Sequence, residues 1–238
     1  MGRFAFVPTL DPVNSFRRRV LNIPGGNTCT WTVPTDVKEV TFELWGGGGA
    51  GGQNYCCYCG LGVGGGGGAY SLKSIAVTPG TTYTIVAGAG GSGNFYCSPG
   101  GSQVGCRGCT SYVTGTNLTN FCAEGGCGGC WYSGCIPGNA EATGGGLAYG
   151  GDVNLAGNKA WLKSGICTWY TPKFFSAGGS SPLGGPNQMH QGNFCTPYFS
   201  GGYDGVFPGG GGTGLSKCCC DCCGCGGSGA PGLVRITY

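Results

Sequence analysis

Nineteen cysteines in 238 residues make the thiol the reactive group in greatest supply. Cys106 and Cys109 form one C-x-x-C pair and Cys127 and Cys130 a second. The run Cys218, Cys219, Cys220, Asp221, Cys222, Cys223, Gly224, Cys225 adds three overlapping pairs, and Cys56, Cys57 and Cys59 make another knot. Two such pairs could close a tetrahedral zinc site, yet the spacings between the pairs fit no familiar zinc finger. Dense and adjacent cysteines also suit disulfides, with neighbours such as Cys56 and Cys57 finding different partners because a bond between them is strained. The odd total leaves at least one thiol free or paired with another chain. Disulfide stapling is the expectation, with structural zinc at Cys106, Cys109, Cys127 and Cys130 and largely reduced thiols as the alternatives. Stapling has a motive, because 57 glycines bury few side chains and lose much backbone entropy on folding.

Other chemistry is thin. Gly88 to Gly93 satisfies G-x-G-x-x-G after a strand, but Asn94 to Gly100 will not form the helix that receives a pyrophosphate. No acidic residue follows until Glu124, so the match is a by-product of glycine content. One histidine, His190, and nine carboxylates supply no nucleophile–base pair and no paired carboxylates. An enzyme is not expected, and no cofactor beyond the zinc alternative is implied. Arg17, Arg18 and Arg19 are too few, with nothing continuing the patch, to indicate nucleic acid. No stretch approaches the ~20 apolar residues of a membrane span, and the first residues lack a signal-peptide core.

The elements that must position these residues are β-rich. Glycine is a quarter of the chain and charged residues are 9%, which excludes helix bundles; the glycines lack the collagen period. Aromatic residues at 12% argue against disorder. Residues 1–25, with Phe4 and Phe6 alternating and few glycines, read as an arm that docks onto something, leaving 26–238 as the domain. Cys29 to Val33 reads as a strand. Lys38 to Trp45 alternates Val40, Phe42 and Leu44 against Glu39, Thr41 and Glu43, as a half-buried strand does. Ala69 to Val77, a turn at Thr78-Pro79-Gly80-Thr81 and Thr82 to Ala87 read as a hairpin. Gly232 to Tyr238 is a closing strand, so the chain's ends should meet in one β-sandwich. Glycine runs between the strands are expected to pack as extended three-per-turn helices that hydrogen-bond laterally.

Trp31 to Pro34, Val40 to Gly49, Gly65 to Tyr70, Ser74 to Gly91 and Gly229 to Tyr238 are similar to phage glycine-rich tail-fibre domains. The resemblance covers about residues 28–238. It implies an all-β, jelly-roll-like sandwich carrying a bundle of polyglycine helices, in a virion appendage whose exposed inserts recognise a host surface. The cysteines depart from the phage pattern. On this footing the expected role is a tail-fibre or adhesin component, with a capsid decoration or cement protein as the alternative. Phe4, Phe6, Arg17, Arg18 and Arg19 become candidate anchors to other virion proteins. Trp131, Tyr132, Trp169, Tyr170, Phe174 and Phe175, in inserts between glycine runs, become candidate receptor contacts. Tail fibres and trimeric jelly rolls suggest a homotrimer. Such a protein is made in a host cytosol and faces the outside after release.

Overall fold

The computed structural model describes residues 18–52, 60–93, 104–133, 139–140, 143–164, 173–193, 201–217 and 225–238. It is all-β, with no helix among the described residues. Two five-stranded antiparallel sheets form a sandwich. The first runs β1 (Val20–Pro24), β17 (Leu233–Thr237), β3 (Glu39–Trp45), β5 (Tyr70–Ala76), β12 (Val153–Leu155). The second runs β11 (Ala148–Tyr149), β8 (Cys122–Ala123), β7 (Ser111–Thr114), β6 (Thr82–Val86), β2 (Thr28–Thr32). Away from the sandwich, β4 (Gly60–Gly62) lies between β16 (Ser216–Lys217) and β9 (Trp131–Ser133). A fourth sheet runs β10 (Asn139–Ala140), β13 (Trp161–Ser164), β14 (Lys173–Ala177), β15 (Met189–Asn193).

Period-two alternation decides which way the sandwich strands face. Val40, Phe42 and Leu44 of β3 are all but fully buried, as are Val234 and Ile236 of β17 and Tyr83 and Ile85 of β6. The rings of Trp31, Phe42, Tyr83, Phe121 and Tyr238 meet between the sheets at centroid distances of 5.2–6.5 Å, close enough for edge and tilted packing. Gly115 has no side chain because the Tyr83 ring lies against its Cα.

Two expectations are corrected here. The turn at Thr78 to Thr81 forms, with the Thr81 N–H donating to the Thr78 carbonyl at 3.1 Å and Gly80 at φ +84°. The strands it joins do not pair: β5 bonds to β3 and β12, and β6 to β2 and β7. The turn is thus a corner between the sheets, because both strands have one buried face and each serves a different side of the core. The arm also ends earlier than residue 25, since Val20–Pro24 pairs in full register with β17 as an edge strand.

The glycine runs behave as expected. Segment 46–52 donates its N–H groups in a strict cycle of three. Gly46, Gly49 and Gly52 bond to Ala69, Gly66 and Val63; Gly47 and Ala50 to Cys109 and Cys106; Gly48 and Gly51 to Ala230 and Gly227. Its carbonyls accept from Gly126 and Gly129, from Gly91, and from Gly212 and Leu215, all at 2.7–3.1 Å. One extended three-per-turn helix therefore has six hydrogen-bonded neighbours, a hexagonal arrangement. Segment 62–69 is surrounded likewise, bonding to segments 46–52, 124–130, 143–147, 156–160, 178–181 and 209–215. Nearly every added Cβ in these runs would overlap a neighbour's carbonyl. Where a neighbouring chain is missing, a hydroxyl fills the place. Buried Ser111 accepts from the Gly88 N–H at 2.8 Å and donates to the Trp45 carbonyl at 2.6 Å, and Ser176 accepts from the Gly214 N–H at 2.9 Å.

At the junction Trp45, Tyr70 and Leu233 are buried together, and the Trp45 indole donates to the Pro182 carbonyl at 3.0 Å. The Tyr70 hydroxyl donates to Glu43 at 3.0 Å. Burial, with the Glu43 hydrogen bond and charge adding to it, raises the Tyr70 pKa well above its usual range.

The packing yields a paired test. In Gly66→Ala the new methyl overlaps the Gly144 carbonyl, whereas in Gly144→Ala the nearest atom is Cys127 Sγ at 3.7 Å. Gly66→Ala should cost about 3 kcal/mol or more, and Gly144→Ala under about 1, by denaturant melts. The Tyr70 shift gives a pH test. A raised folded pKa means the unfolded chain loses its proton first, so this stability is whole below pH ~10 and declines as pH rises beyond it. Tyr70→Phe should remove that part of the alkaline decline, measured by melts across pH 8–12.

Candidate functional site

The glycine segments alternate in direction, and this sorts the chain into two poles. Segment 46–52 leaves the end of β3 and 62–69 returns to β5; 87–93 leaves β6 and 104–110 returns to β7. The same excursion is made between β8 and β11, after β12, and before β17. Bonds such as Gly52 to Val63, Gly105 to Gly129 and Gly202 to Cys225 join far ends, and Gly46 to Ala69 and Gly232 to Gly88 join near ends. The stretches 53–59, 94–103, 134–142, 165–172, 194–200 and 218–224 therefore all start and end at the pole far from the sandwich. Each contains at least one cysteine. All the cysteines except Cys29, Cys109, Cys122 and Cys127 sit at this pole or in stretches that start and end there.

The opposite pole holds the first and last described residues. Arg19 and Tyr238 exchange backbone hydrogen bonds of 2.7 and 3.0 Å where β1 begins, away from the bundle. Seven residues of strand and seven of glycine helix separate the poles by about 45 Å. Arg18 and Arg19 are exposed, and Arg19 forms a surface ion pair with Asp36 at 3.5 Å, worth at most about 1 kcal/mol. Phe4, Phe6 and Arg17 lie outside the described residues.

The cysteine pairs take on a different meaning in this geometry. Cys106 and Cys109 accept from Ala50 and Gly47, and Cys127 and Cys130 from Gly66 and Val63, so each pair lies one full turn apart on a straight extended helix. One turn rises about 9 Å, beyond the ~7 Å between Cα atoms that a disulfide spans. A zinc knuckle needs the chain to curl around the metal, and a straight segment does not. Among the described residues no group of three or more His, Cys, Asp or Glu side chains could hold a metal ion. No disulfide joins two described cysteines, and Cys29, Cys109, Cys122, Cys127 and Cys130 carry free thiols. The C-x-x-C spacing in the bundle thus follows the helical repeat, which returns a side chain to the same side every third residue. Cys56, Cys57, Cys59, Cys218, Cys219, Cys220, Cys222 and Cys223 lie outside the described residues, and Cys225 opens the returning segment at the far pole.

The chain matches the glycine-rich domain family over residues 23–238. It belongs to that family. The match takes in β1 from its fourth residue, both sheets, the bundle and every cysteine-bearing stretch. No curated protein matches the sequence.

In this glycine-rich domain the candidate contact aromatics divide. Trp131 and Tyr132 fall on β9, and Phe174 and Phe175 on β14, so they are strand residues where loops were expected. The reason is steric: hexagonal packing leaves room for few side chains, such as Ala50, Val63 and Thr213, so where side chains become continuous the chains pair as antiparallel strands. Phe175 is half-buried, opposite Lys163 and Gln191. Trp169 and Tyr170 lie outside the described residues. Sequence reasoning missed the exposed turn residues Leu183 and Phe207 and the exposed Tyr112 and Tyr149 of the second sheet. Alternation along β7 was the available signal for Tyr112. No described helix is long and apolar enough to cross a membrane.

The helical explanation of the cysteine pairs has a direct check. Peptide mapping of unreduced protein should find no Cys106–Cys109 or Cys127–Cys130 linkage. Elemental analysis of Cys109→Ser should show the same zinc content as the parent, and loss of one zinc per chain would restore the knuckle.

Proposed function

We propose that this glycine-rich domain is a virion structural component of the tail-fibre or appendage kind, with no catalytic role. It is held through its N-terminal segment and offers the far pole to a host surface. The observation that carries the reading is the opposition of the poles: residues 1–17 attach at one end, and all six cysteine-bearing inserts start and end at the other. A rigid bundle between them acts as a spacer, since every central segment is tied on six sides. Anchoring to other virion proteins through Phe4, Phe6 and the Arg17–Arg19 run, and assembly as a homotrimer, belong to the same reading. Within it, the aromatic residues of insert 165–172 are the first choice for receptor contact, because Trp and Tyr bring large rigid area at small entropy cost.

The test uses labelled full-length protein and the cells on which the producing particles grow. Replacing 165–172 by a Gly-Ser linker should lower the cell-bound protein about tenfold or more with the melting temperature unchanged. Removing residues 1–17 should leave cell binding intact and abolish incorporation into particles. Unchanged cell binding in the insert variant, together with particles that lose heat resistance when the protein is absent, would favour the cement role instead.

A further inference from the structure

The outward face of the second sheet has an unusual composition. Register and exposure assign to it Thr28, Thr30 and Thr32 of β2, Thr82, Thr84 and Val86 of β6, Tyr112 and Thr114 of β7, Cys122 of β8 and Tyr149 of β11. No Lys, Arg, Asp or Glu is among them. The outward face of the first sheet, by contrast, carries Glu39, Glu43 and Arg235. Threonine hydroxyls stand in rows across the strands: Thr32 beside Thr82, with Oγ1 atoms 3.3 Å apart, and Thr30, Thr84 and Thr114 in line. The next row is Thr28, Val86, Tyr112, Cys122, Tyr149. Tyr112 and Tyr149 are 38% and 39% exposed and flank Cys122 two strand spacings apart, about 10 Å. Burial, with the Glu124 charge adding to it, pushes the Cys122 thiol pKa up, so this position also stays neutral at neutral pH.

We infer that this face binds an extended, neutral, β-linked polysaccharide. Tyrosine offers an apolar ring face and a hydroxyl, which suits the alternation of C–H faces and hydroxyls on a pyranose chain. Two rings on one row hold a linear polymer at two points, and threonine hydroxyls, which both donate and accept, line its side. The face itself carries no charged side chain, and Glu124 beside Cys122 is paired with Arg107 at 3.1 Å, so little is offered to a sulfate, phosphate or uronate. A second copy of the chain is the poorer occupant. Five strands by three outward residues measure about 19 Å by 14 Å, well under the ~800 Å² per partner of a stable protein interface. This inference is independent of the far-pole reading, because the face belongs to the sandwich and none of its residues is in an insert.

The experiment is retention of the full chain on microcrystalline cellulose and on chitin, with heparin resin as the charged comparison. Wild type should be held on a neutral polymer, equally at low and molar salt because no ion pair is involved. The Tyr112→Ala/Tyr149→Ala double variant should be retained about tenfold less or worse. Thr30→Glu, at an exposed position with no packing role, should weaken retention independently, while Leu183→Ala on a distant turn should not. Absence of retention on both neutral polymers would overturn the inference, as would equal retention of the double variant or preference for heparin. Binding that requires removal of residues 1–17 would also overturn it, making that segment the occupant.

Discussion

Lateral hydrogen bonding between backbones without side chains is the constraint on which the rest of this structure depends. A helix of three residues per turn makes no internal hydrogen bonds, so every buried N–H and C=O must find a neighbouring chain or remain unpaired at a cost of about 1–3 kcal/mol. Hexagonal packing meets the demand only if the helices approach so closely that a Cβ has no room. Glycine is therefore required by contact at positions such as Gly48, Gly65 and Gly66, irrespective of conformational freedom. The backbone entropy lost by so many glycines is offset by a fully bonded interior and by dense backbone-to-backbone contact.

The bundle could not set its own register, because a uniform glycine helix can slide along its neighbours by one turn at little cost. The sandwich supplies what is missing. Its strands are locked by alternation, as a one-residue slip would turn Val40, Phe42 and Leu44 to solvent. Each strand end delivers its glycine segment at a fixed height, with Ser111 and Trp45 tying the first turn of the bundle to the sheet. At the other end small antiparallel sheets close the segments in pairs, such as β4 with β9 and β16. Apart from buried residues such as Ala50 and Thr213, the described side chains thus lie mainly at the two ends and on the flanks, which explains how a chain with 9% charged residues still shows definite polarity along its length.

Legibility in the sequence followed the same division. Strand β3 could be read because one face is buried and the other wet, and β17 because its apolar residues alternate up to the chain's last residue. Packed glycine helices were legible from aromatics and cysteines recurring between the runs. Partnership was not: Thr78 to Thr81 has ideal turn chemistry, yet turn chemistry fixes only the reversal, and the core decided that β5 and β6 serve opposite sheets. Edge strand β1 was hidden because Val20 and Leu21 are exposed and give no clean alternation. The cysteine spacing left alternatives open for a physical reason. Period three is the signature of a zinc knuckle and equally of a three-per-turn helix, and only the lateral bonds of Cys106, Cys109, Cys127 and Cys130 separate the two.

The same geometry constrains where recognition can arise. Bundle segments that touch six neighbours have no free face, and those at the edge can show a side chain only every third residue. Chemical diversity is thus confined to the far-pole inserts and to the outer faces of the sandwich. Inserts of any length can change there without disturbing the bundle, because each is entered and left by segments whose bonds are complete before it begins. A sheet face has the opposite character: its residues are fixed in rows by register, so it can present a regular array and little else. A periodic polymer suits such an array, and an irregular receptor surface suits the inserts. On the two readings proposed above, each recognition mode would fall to the region whose backbone permits it.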